Sequence, residues 1–374
     1  MISRTWSELP LLSVLLLPAV ALAEIKLNKS IDAVFADIGD DEPGCAVGVI
    51  HKGDFVHKGG YGLANMEYSI PITSQTVFRT GSVGKQFTAM AIAILAERGD
   101  LDLDADVHTY LPDLIDYGHK VTVRQMAHHI AGMGDYDHDD FRKADGTEFR
   151  FGNEDFATND EFYEMVTSAG LVQEPGTTFL YSNLGYFLLG AVVESVSGKS
   201  LRRFAAEEIF GPLGMHATHF NDNVNQIVIN RADGYQQMED GSWEIYMTNL
   251  SWVGDGGVYT TIDDFIKWDR NFYDNRLGSV DMSLVDFVQT IPPDIFEETE
   301  DGLRKVNYAF GLSIEERFGE RVIRHGGSWV GFTALYNRFP ELDLSVVVFC
   351  NSLKRSAYEY GDSVNELAVT AFKG

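Results

Sequence analysis

The sequence contains few of the residues that metal and redox sites require. Among its 374 residues only Cys45 and Cys350 are cysteines, and neither a Cys-x-x-Cys nor a His-Glu-x-x-His motif occurs. A zinc site built on cysteines needs more ligands than these two supply. The nucleophile elbow Gly-x-Ser-x-Gly is also absent, which excludes the usual α/β-hydrolase arrangement. The two cysteines are either buried free thiols or, in an exported protein, a disulfide.

Basic residues are scarce as well. The chain has 29 Lys and Arg against 56 Asp and Glu, which gives a net charge of −27. This negative field repels phosphate backbones, so nucleic acid is excluded as a partner. With 45% hydrophobic and 23% charged residues, the composition is that of a globular protein with a sizeable core.

No apolar run reaches the roughly 20 residues that a membrane span needs. The longest candidate, Leu9–Leu22, follows Arg4, and Ala21-Leu22-Ala23 has the small-x-small pattern of a cleavage site. We interpret residues 1–23 as a signal peptide cleaved after Ala23. We therefore expect a secreted or periplasmic protein with no stable membrane span after cleavage. An uncleaved anchor is the alternative interpretation.

Hydrophobic periodicity places strands at both ends of the sequence and helices in the middle. The expected strands are Cys45–His51 and Phe55–Leu63, joined as a hairpin, and later Val322–His325, Thr333–Phe339 and Leu344–Phe349. The expected helices are a short one around Ile31–Ile38, then Ser82–Arg98, Phe187–Ser197, Leu201–Phe210 and Ser363–Phe372. The acidic stretch Asp135–Glu161 is interpreted as a long loop.

This order of elements predicts an α/β fold of the α+β sandwich type. An antiparallel sheet drawn from both ends of the sequence is flanked by helices and carries an inserted helical subdomain. We expect the catalytic domain to span residues 24–374, with a sheet subdomain at about 24–79 plus 250–374 and a helical subdomain at about 80–249.

The clearest chemical signal is Ser82-Val83-Gly84-Lys85, a Ser-x-x-Lys motif that opens a predicted helix. Residues three apart share a helix face, about 5–6 Å apart at Cβ. A partly buried lysine at that place is pushed toward its neutral form and can take the proton of the serine hydroxyl. The motif is weak by itself, because an exposed serine beside a solvated lysine produces the same pattern.

Two further motifs follow in order along the chain. Tyr181-Ser182-Asn183 precedes an apolar helix, where a phenol could relay a proton and an amide could hold Lys85 and a substrate carbonyl. His325-Gly326-Gly327 ends a predicted strand, and its two glycines permit close approach of a ligand to the backbone. Each has a simpler interpretation: a turn with a helix N-cap in the first case, a glycine-rich turn in the second.

Taken together in this order, the three motifs resemble those of the serine β-lactamase, penicillin-binding protein and esterase superfamily, on its class C-like branch. The resemblance covers nearly the whole chain after residue 23. It extends to several other segments: Gln125–Gly132 followed by Met133, Glu174–Gly176, Gly211–Met215, Gly256–Thr261, and Pro340 before the last strand.

The resemblance implies a role for each motif. Ser82 is expected to be the acylated nucleophile, Lys85 its general base and Tyr181 the partner acid and base. Asn183, His325 and Gly327 are expected to bind substrate, and the backbone N–H groups of Ser82 and Ser328 to form the oxyanion hole. The sequence departs from the family at three positions: it has His325 in place of lysine, Gly326 in place of a hydroxyl residue, and Ala131 in place of serine.

The implied function is that of a secreted serine hydrolase that acts through an acyl-serine intermediate, most readily on esters or related small acyl substrates. A D-amino-acid-specific peptidase or a β-lactamase on the same scaffold is one alternative, and a non-catalytic penicillin-binding-like protein is another. The expected partner is a small ester, amide or D-peptide. We expect no organic cofactor and no metal, since the cluster formed by His128, His129, Asp135, Asp137, His138 and Asp139 lacks the spacing of a calcium loop.

Two further expectations depend on the resemblance. In the resembled fold the first strand pairs with the last, which would set Cys45 opposite Cys350 and allow a disulfide. Neutral acyl groups should be preferred over carboxylate-bearing substrates, because the third motif offers only His325 and alternation turns Arg324 to the opposite face. If His325 supplied the only cation, cephalosporin hydrolysis would rise relative to ester hydrolysis as the pH falls from about 8 to about 6.

Overall fold

The computed structural model describes residues 19–136, 141, 151–279 and 283–373, with side chains from residue 25 onward. Its helices are α1 Ala19–Val34, α2 Lys85–Glu97, α3 Val123–Ala127, α4 Asn159–Val166, α5 Asn183–Ser197, α6 Leu201–Ala205, α7 Gly211–Leu213, α8 Ile262–Asp274, α9 Leu284–Phe287 and α10 Ala357–Phe372. Most of the predicted signal peptide, residues 1–18, lies outside the described residues, and residues 19–23 begin α1.

The strands of the main sheet come from both ends of the chain, as predicted. Six strands pair in the order β12-β13-β14-β15-β1-β2, and every pairing is antiparallel. They are β1 Cys45–His51, β2 Asp54–Tyr61, β12 Ser313–Arg317, β13 Glu320–Trp329, β14 Phe332–Phe339 and β15 Leu344–Cys350. The predicted fold class is therefore confirmed, whereas the two subdomain boundaries stay a prediction.

Shorter strands surround this sheet. They are β3 Leu63–Asn65, β4 Ile70–Pro71, β5 Phe78–Arg79, β6 His219–Phe220, β7 Tyr235–Gln237, β8 Trp243–Ile245, β9 Val258–Thr260, β10 Phe296–Thr299 and β11 Gly302–Lys305. The three-stranded set β5-β9-β6 leads directly into the turn that carries Ser82.

Strand alternation gives the main sheet two different faces. On one face β1 and β15 present Val47, Val49, Val346 and Val348 to α1 and α10, where they form an apolar cluster. On the other face Ala46, Val347 and Phe349 join the larger core that includes α2, α5 and α8.

The two cysteines form a disulfide. Cys45 and Cys350 are directly opposite in the β1–β15 register, their Cα atoms are 4.0 Å apart, and the Sγ atoms are bonded. The expected pairing is confirmed, and the alternative of two free thiols is wrong. The bond closes a separation of 305 residues and ties the first strand of the sheet to the last in sequence.

Several element boundaries differ from those predicted, and each difference has a local cause. Helix α5 starts at Asn183 rather than Phe187, because the Ser182 hydroxyl accepts a hydrogen bond from the Gly185 N–H and caps the helix earlier. The expected helix Leu201–Phe210 changes to a π-turn after Ala205, where Gly211 N–H donates to the carbonyl of Ala206. Strand β13 continues through Gly326 and Gly327 to Trp329, so the interpretation of these glycines as a turn is wrong.

Among the described residues, no helix combines the length and apolarity required to cross a lipid bilayer.

Candidate functional site

Ser82 lies in a tight turn between β5 and α2. Residues Gly81–Gly84 form a 3₁₀ turn, and the α-helix begins only at Lys85, one turn later than the motif suggested. Gly81 has a φ of +52°, a backbone region that favours glycine, and a Cβ there would lie 2.8 Å from the Ser328 nitrogen. The turn is therefore held close against strand β13.

Gly327 makes the same approach from the other side. A Cβ on Gly327 would lie 2.0 Å from the Thr80 carbonyl oxygen and 2.9 Å from the Ser82 nitrogen. Only a residue without a side chain allows β13 to approach the Ser82 turn so closely. The two backbone segments expected to supply the oxyanion hole, at Ser82 and Ser328, are thus brought together across this contact.

Lys85 is fully buried and directed at Ser82. Its Nζ donates to Ser82 Oγ at 3.0 Å, to Asn183 Oδ1 at 2.6 Å and to the main-chain oxygen of Asp255 at 2.5 Å. Burial lowers the pKa of Lys85 to about 8, while the charges of Asp255 and Asp135 act in the opposite direction. A lysine in this state exchanges a proton with a neighbouring hydroxyl near neutral pH, as the motif predicted.

Asn183 connects Lys85 to a carboxylate that sequence reasoning missed. Its Oδ1 accepts from Lys85, and its Nδ2 lies 3.0 Å from both carboxylate oxygens of Asp135. These partners fix the orientation of the amide, because the ammonium can only donate and the carboxylate only accept. Burial raises the pKa of Asp135. In the sequence this residue begins the acidic stretch and belongs to the cluster that was rejected as a metal site, and neither observation connected it to Lys85.

Tyr181 stands over the same lysine. The Lys85 Nζ lies 5.0 Å from the centre of its ring, and a hydrogen bond to Ser82 opposes the effect of burial, which raises the pKa of Tyr181. The Tyr181 ring also contacts His129, with ring centres 4.2 Å apart. The buried His129 Nδ1 accepts from the Ser182 N–H at 3.0 Å and so holds the segment that carries Tyr181 and Asn183.

His325 has both ring nitrogens engaged by the protein. Its Nδ1 donates to the Gly326 carbonyl at 2.5 Å, which leaves Nε2 to accept from the Tyr308 hydroxyl at 2.9 Å. Burial lowers the pKa of His325 to about 3, so the imidazole is neutral between pH 6 and 8. The expected rise of cephalosporin hydrolysis toward pH 6 therefore loses its physical basis. The Gly326 carbonyl, which can only accept, sets this tautomer, and Tyr308, which completes it, had no signal in the sequence.

Two cavities meet at Ser82 and Ser328. The larger, about 440 Å³, runs along the edge of β13 and is lined by residues that include Tyr181, Tyr308, His325 and Tyr358. The smaller, about 40 Å³, is bordered by Arg79, Asn183, Trp252, Asp255 and Trp329. The nucleophile thus has space on both sides, as a group that attacks the middle of an extended substrate requires.

Arg324 also borders the larger cavity, where the guanidinium lies 3.3 Å from the carboxylate of Glu315. It shares the strand face of Gly326, whose Cβ would meet the Tyr358 ring, rather than the face of His325 and Gly327.

Those of the other suggested histidines and carboxylates that the structure describes do not assemble into a ligand set. His128 Nδ1 donates to the Tyr308 carbonyl at 3.1 Å, and burial lowers the pKa of this histidine to about 4. Asp137, His138 and Asp139 lie outside the described residues. Within the described part of the chain, no group of three or more His, Cys, Asp or Glu side chains is placed to bind a metal ion.

The chain is similar to known proteins over most of its length. The Beta-lactamase family model matches residues 31–370. A penicillin-binding protein of Bacillus subtilis is 25% identical over 89% of this chain and 73% of its own length. A D-aminopeptidase of Gluconobacter oxydans is 30% identical over 83% of this chain, which spans 56% of that relative.

Solved structures give the same result. The octameric penicillin-binding protein homologue from Pyrococcus abyssi has a TM-score of 0.74 and 26% identity, and covers 94% of this chain and 77% of its own. A penicillin-binding protein from Bacillus halodurans has a TM-score of 0.74 and 25% identity, with 90% and 98% covered. The Ochrobactrum anthropi D-amino acid amidase, at 22% identity and a TM-score of 0.72 over 92% of this chain and 99% of its own, shares the fold.

Proposed function

Since the chain belongs to the β-lactamase family and is a serine hydrolase, we propose that it cleaves small esters and amides through an acyl-Ser82 intermediate. The observation that carries this proposal is the 3.0 Å contact between Lys85 Nζ and Ser82 Oγ, made by a fully buried lysine whose pKa is lowered to about 8. A nucleophile and a base in direct contact, with the base oriented by Asn183, is the arrangement that acyl transfer requires.

In the acylation step, Ser82 Oγ attacks the substrate carbonyl carbon and passes its proton to Lys85 Nζ. The negative charge on the carbonyl oxygen is stabilised by the backbone N–H groups of Ser82 and Ser328, which need no reorganisation. The tetrahedral intermediate then collapses, the bond to the alcohol or amine breaks, and Tyr181 donates the proton that this leaving group takes. Lys85 returns the proton to Tyr181.

In the deacylation step, water attacks the acyl carbon and gives a proton to the Lys85–Tyr181 pair. The ester bond to Ser82 Oγ breaks, the oxygen regains its proton from Lys85, and the carboxylic acid leaves. Because Tyr181 is held with a raised pKa, it carries its proton at neutral pH and serves as a donor.

A fluorophosphonate probe followed by mass spectrometry tests this chemistry. We expect one covalent adduct, on Ser82, and no adduct after Ser82→Ala, while Ser242→Ala in the exposed β7–β8 turn should label normally. A wild-type protein that stays unlabelled would support the non-catalytic alternative, and equal labelling after Ser82→Ala would contradict the assignment of Ser82 as the nucleophile.

We further propose that esters are preferred over β-lactams. The carboxylate of a β-lactam substrate bound beside β13 would need a cation there. His325 is neutral with both nitrogens engaged, Gly326 has no hydroxyl, and Arg324 is already paired with Glu315. A cephalosporin kcat/KM above that of short p-nitrophenyl esters near neutral pH would contradict the preference.

D-amino-acid amides are the second candidate substrate class. Support comes from the D-aminopeptidase relative at 30% identity. The net charge of −27 also attracts a substrate that carries a free ammonium. A panel of D- and L-alanine p-nitroanilides beside the acyl esters decides between the classes, and D-alanine turnover above that of the esters would favour this one.

We also propose that the protein is exported with cleavage after Ala23. The Cys45–Cys350 disulfide supports this, because disulfides persist mainly in oxidising compartments. N-terminal sequencing of protein from an exporting bacterial host tests the proposal, and we expect Glu24 as the first residue. An intact first residue in a cell-retained protein would favour the uncleaved anchor.

A further inference from the structure

Arg79 is a buried cation next to the nucleophile, and the mechanism does not use it. It is the last residue of β5, where it pairs with Tyr259 of β9, and it precedes Ser82 by three positions. Strand alternation turns Phe78 into the core beside Phe349 and turns Arg79 to the opposite side. There the side chain is 8% exposed and borders the 40 Å³ cavity that reaches Ser82.

This guanidinium has no anionic partner among the residues that the structure describes. None of their carboxylate oxygens lies within 4 Å, and the buried Nε–H has no hydrogen-bond acceptor. Arg355, which is 9% exposed, differs because it pairs with the carboxylates of Asp37 and Glu42. An arginine keeps its charge under all ordinary conditions, so a buried one is normally paired.

The surroundings of Arg79 strengthen its interaction with any anion that enters the cavity. The guanidinium carbon lies 5.6 Å from the centre of the Trp329 ring, and Trp252 stands 6.3 Å from Trp329, so two aromatic rings exclude water from this side. Charge-assisted hydrogen bonds are stronger in such a low-dielectric place. The Asp255 carboxylate, which borders the same cavity and accepts from Tyr136, repels anions from the other end.

On the basis of the proposed hydrolase activity, we infer that Arg79 is a specificity-determining residue that binds a substrate carboxylate. The carboxylate would occupy the cavity that Arg79 and Trp329 border, a few bonds from the carbonyl that Ser82 attacks. A volume of about 40 Å³ has room for a carboxylate group. This subsite is distinct from the β13 edge beside His325, where the proposed preference disfavours negative charge.

Two matched ester pairs test the inference. Two are needed because the carboxylate that binds Arg79 can belong to either the acyl part or the alcohol part of the ester, and the experiment shows which. The first pair places the charge on the acyl part: the mono-p-nitrophenyl ester of glutarate against p-nitrophenyl valerate. The second places it on the alcohol part: para-carboxyphenyl butyrate against para-carbamoylphenyl butyrate. The measured quantity is the ratio of kcat/KM for the charged ester to that for its neutral partner.

Arg79→Gln should lower this ratio by about 10- to 100-fold in one of the two pairs, since it removes a hydrogen bond between charged groups. Arg231→Gln is the matched control: it removes the same charge from a neighbouring segment, bridged to Val77, where the arginine already pairs with Asp233. We expect no change of ratio in the control. Unchanged ratios in both pairs for Arg79→Gln would overturn the inference.

If Arg79→Gln fails to fold, the same kcat/KM ratios measured for Arg79→Lys and for the wild type still test the inference. A lysine keeps the charge but loses the planar fork, so one ratio should fall by an intermediate factor. In the wild type, the charged ester of the pair whose ratio falls should be hydrolysed at least as well as its neutral partner, despite the net charge of −27. Tenfold slower hydrolysis of both charged esters would refute the subsite, whereas absence of Ser82-dependent hydrolysis of the neutral esters would refute the proposed function instead.

Discussion

The two faces of the six-stranded sheet differ in chemistry although the same strands build both. The face toward α1 and α10 is packed mainly with apolar side chains and carries the disulfide between Cys45 and Cys350. The face toward α2 receives His325 and Gly327 and borders a buried polar network around Lys85. Burying polar groups costs stability unless each finds a partner. The comparison indicates that the first face supports the fold and the second holds the chemistry.

Ser82→Ala should have the largest effect on turnover. We expect kcat/KM for p-nitrophenyl esters to fall by at least about 10⁴-fold, since the nucleophile and its base act as a unit, while the melting temperature stays unchanged. Ser363→Ala on α10 is the matched control and should change neither quantity. Near-parental hydrolysis after Ser82→Ala would break the assignment of chemistry to this face.

Gly327→Ala should have the second-largest effect on turnover. A Cβ 2.0 Å from the Thr80 carbonyl oxygen must push β13 away from the Ser82 turn, and a shift of about 1 Å at a reacting group costs about 100-fold in kcat/KM. Gly326→Ala is the neighbouring comparison, because its Cβ meets the Tyr358 side chain, which can rotate away. We expect the second variant to lose less than about tenfold. Equal losses in the two variants would contradict the argument from the two faces.

Asp135→Asn should shift the pH dependence rather than abolish activity. Ester kcat/KM should rise with pH around the Lys85 pKa of about 8, as the ammonium loses its proton. The Asp135 carboxylate favours the charged lysine, so its removal should move the inflection to lower pH. Kinetics between pH 6 and pH 10 measure this shift, with Asp160→Asn as the distant control. An inflection that moves upward would contradict the direction.

The double substitution Cys45→Ser with Cys350→Ser should leave turnover unchanged at temperatures well below unfolding. It should lower the free energy of unfolding by about 2–5 kcal/mol, because a native disulfide restricts the unfolded chain. Thermal unfolding of the variant and of reduced wild type, followed beside ester hydrolysis, checks both statements. A loss of activity without a loss of stability would place the disulfide on the functional side of the comparison.

The parts of the site that were predicted are those that depend on short spacing or on family resemblance. Ser82 and Lys85 lie three residues apart, so one helical turn is enough to place them. Tyr181 and Asn183 were assigned by resemblance, and the contact of Asn183 with Lys85 brings that motif to Ser82. Arg79, Asp135, Asp255 and Tyr308 were not predicted as site residues, because no spacing connects them to the motif.

The sequence by itself determined the alternation of the strands, the Ser-x-x-Lys turn and the close approach that glycine permits, because these follow from local periodicity and side-chain size. The tertiary structure decided the charge state of the site. Burial makes Lys85 a base, as the Ser-x-x-Lys motif predicted, and keeps His325 neutral, although the sequence offered His325 as a possible cation. It also placed Arg79, which no carboxylate among the described residues pairs with, beside Ser82. Desolvation and the partners of a charged group depend on the whole fold, so local sequence cannot supply them.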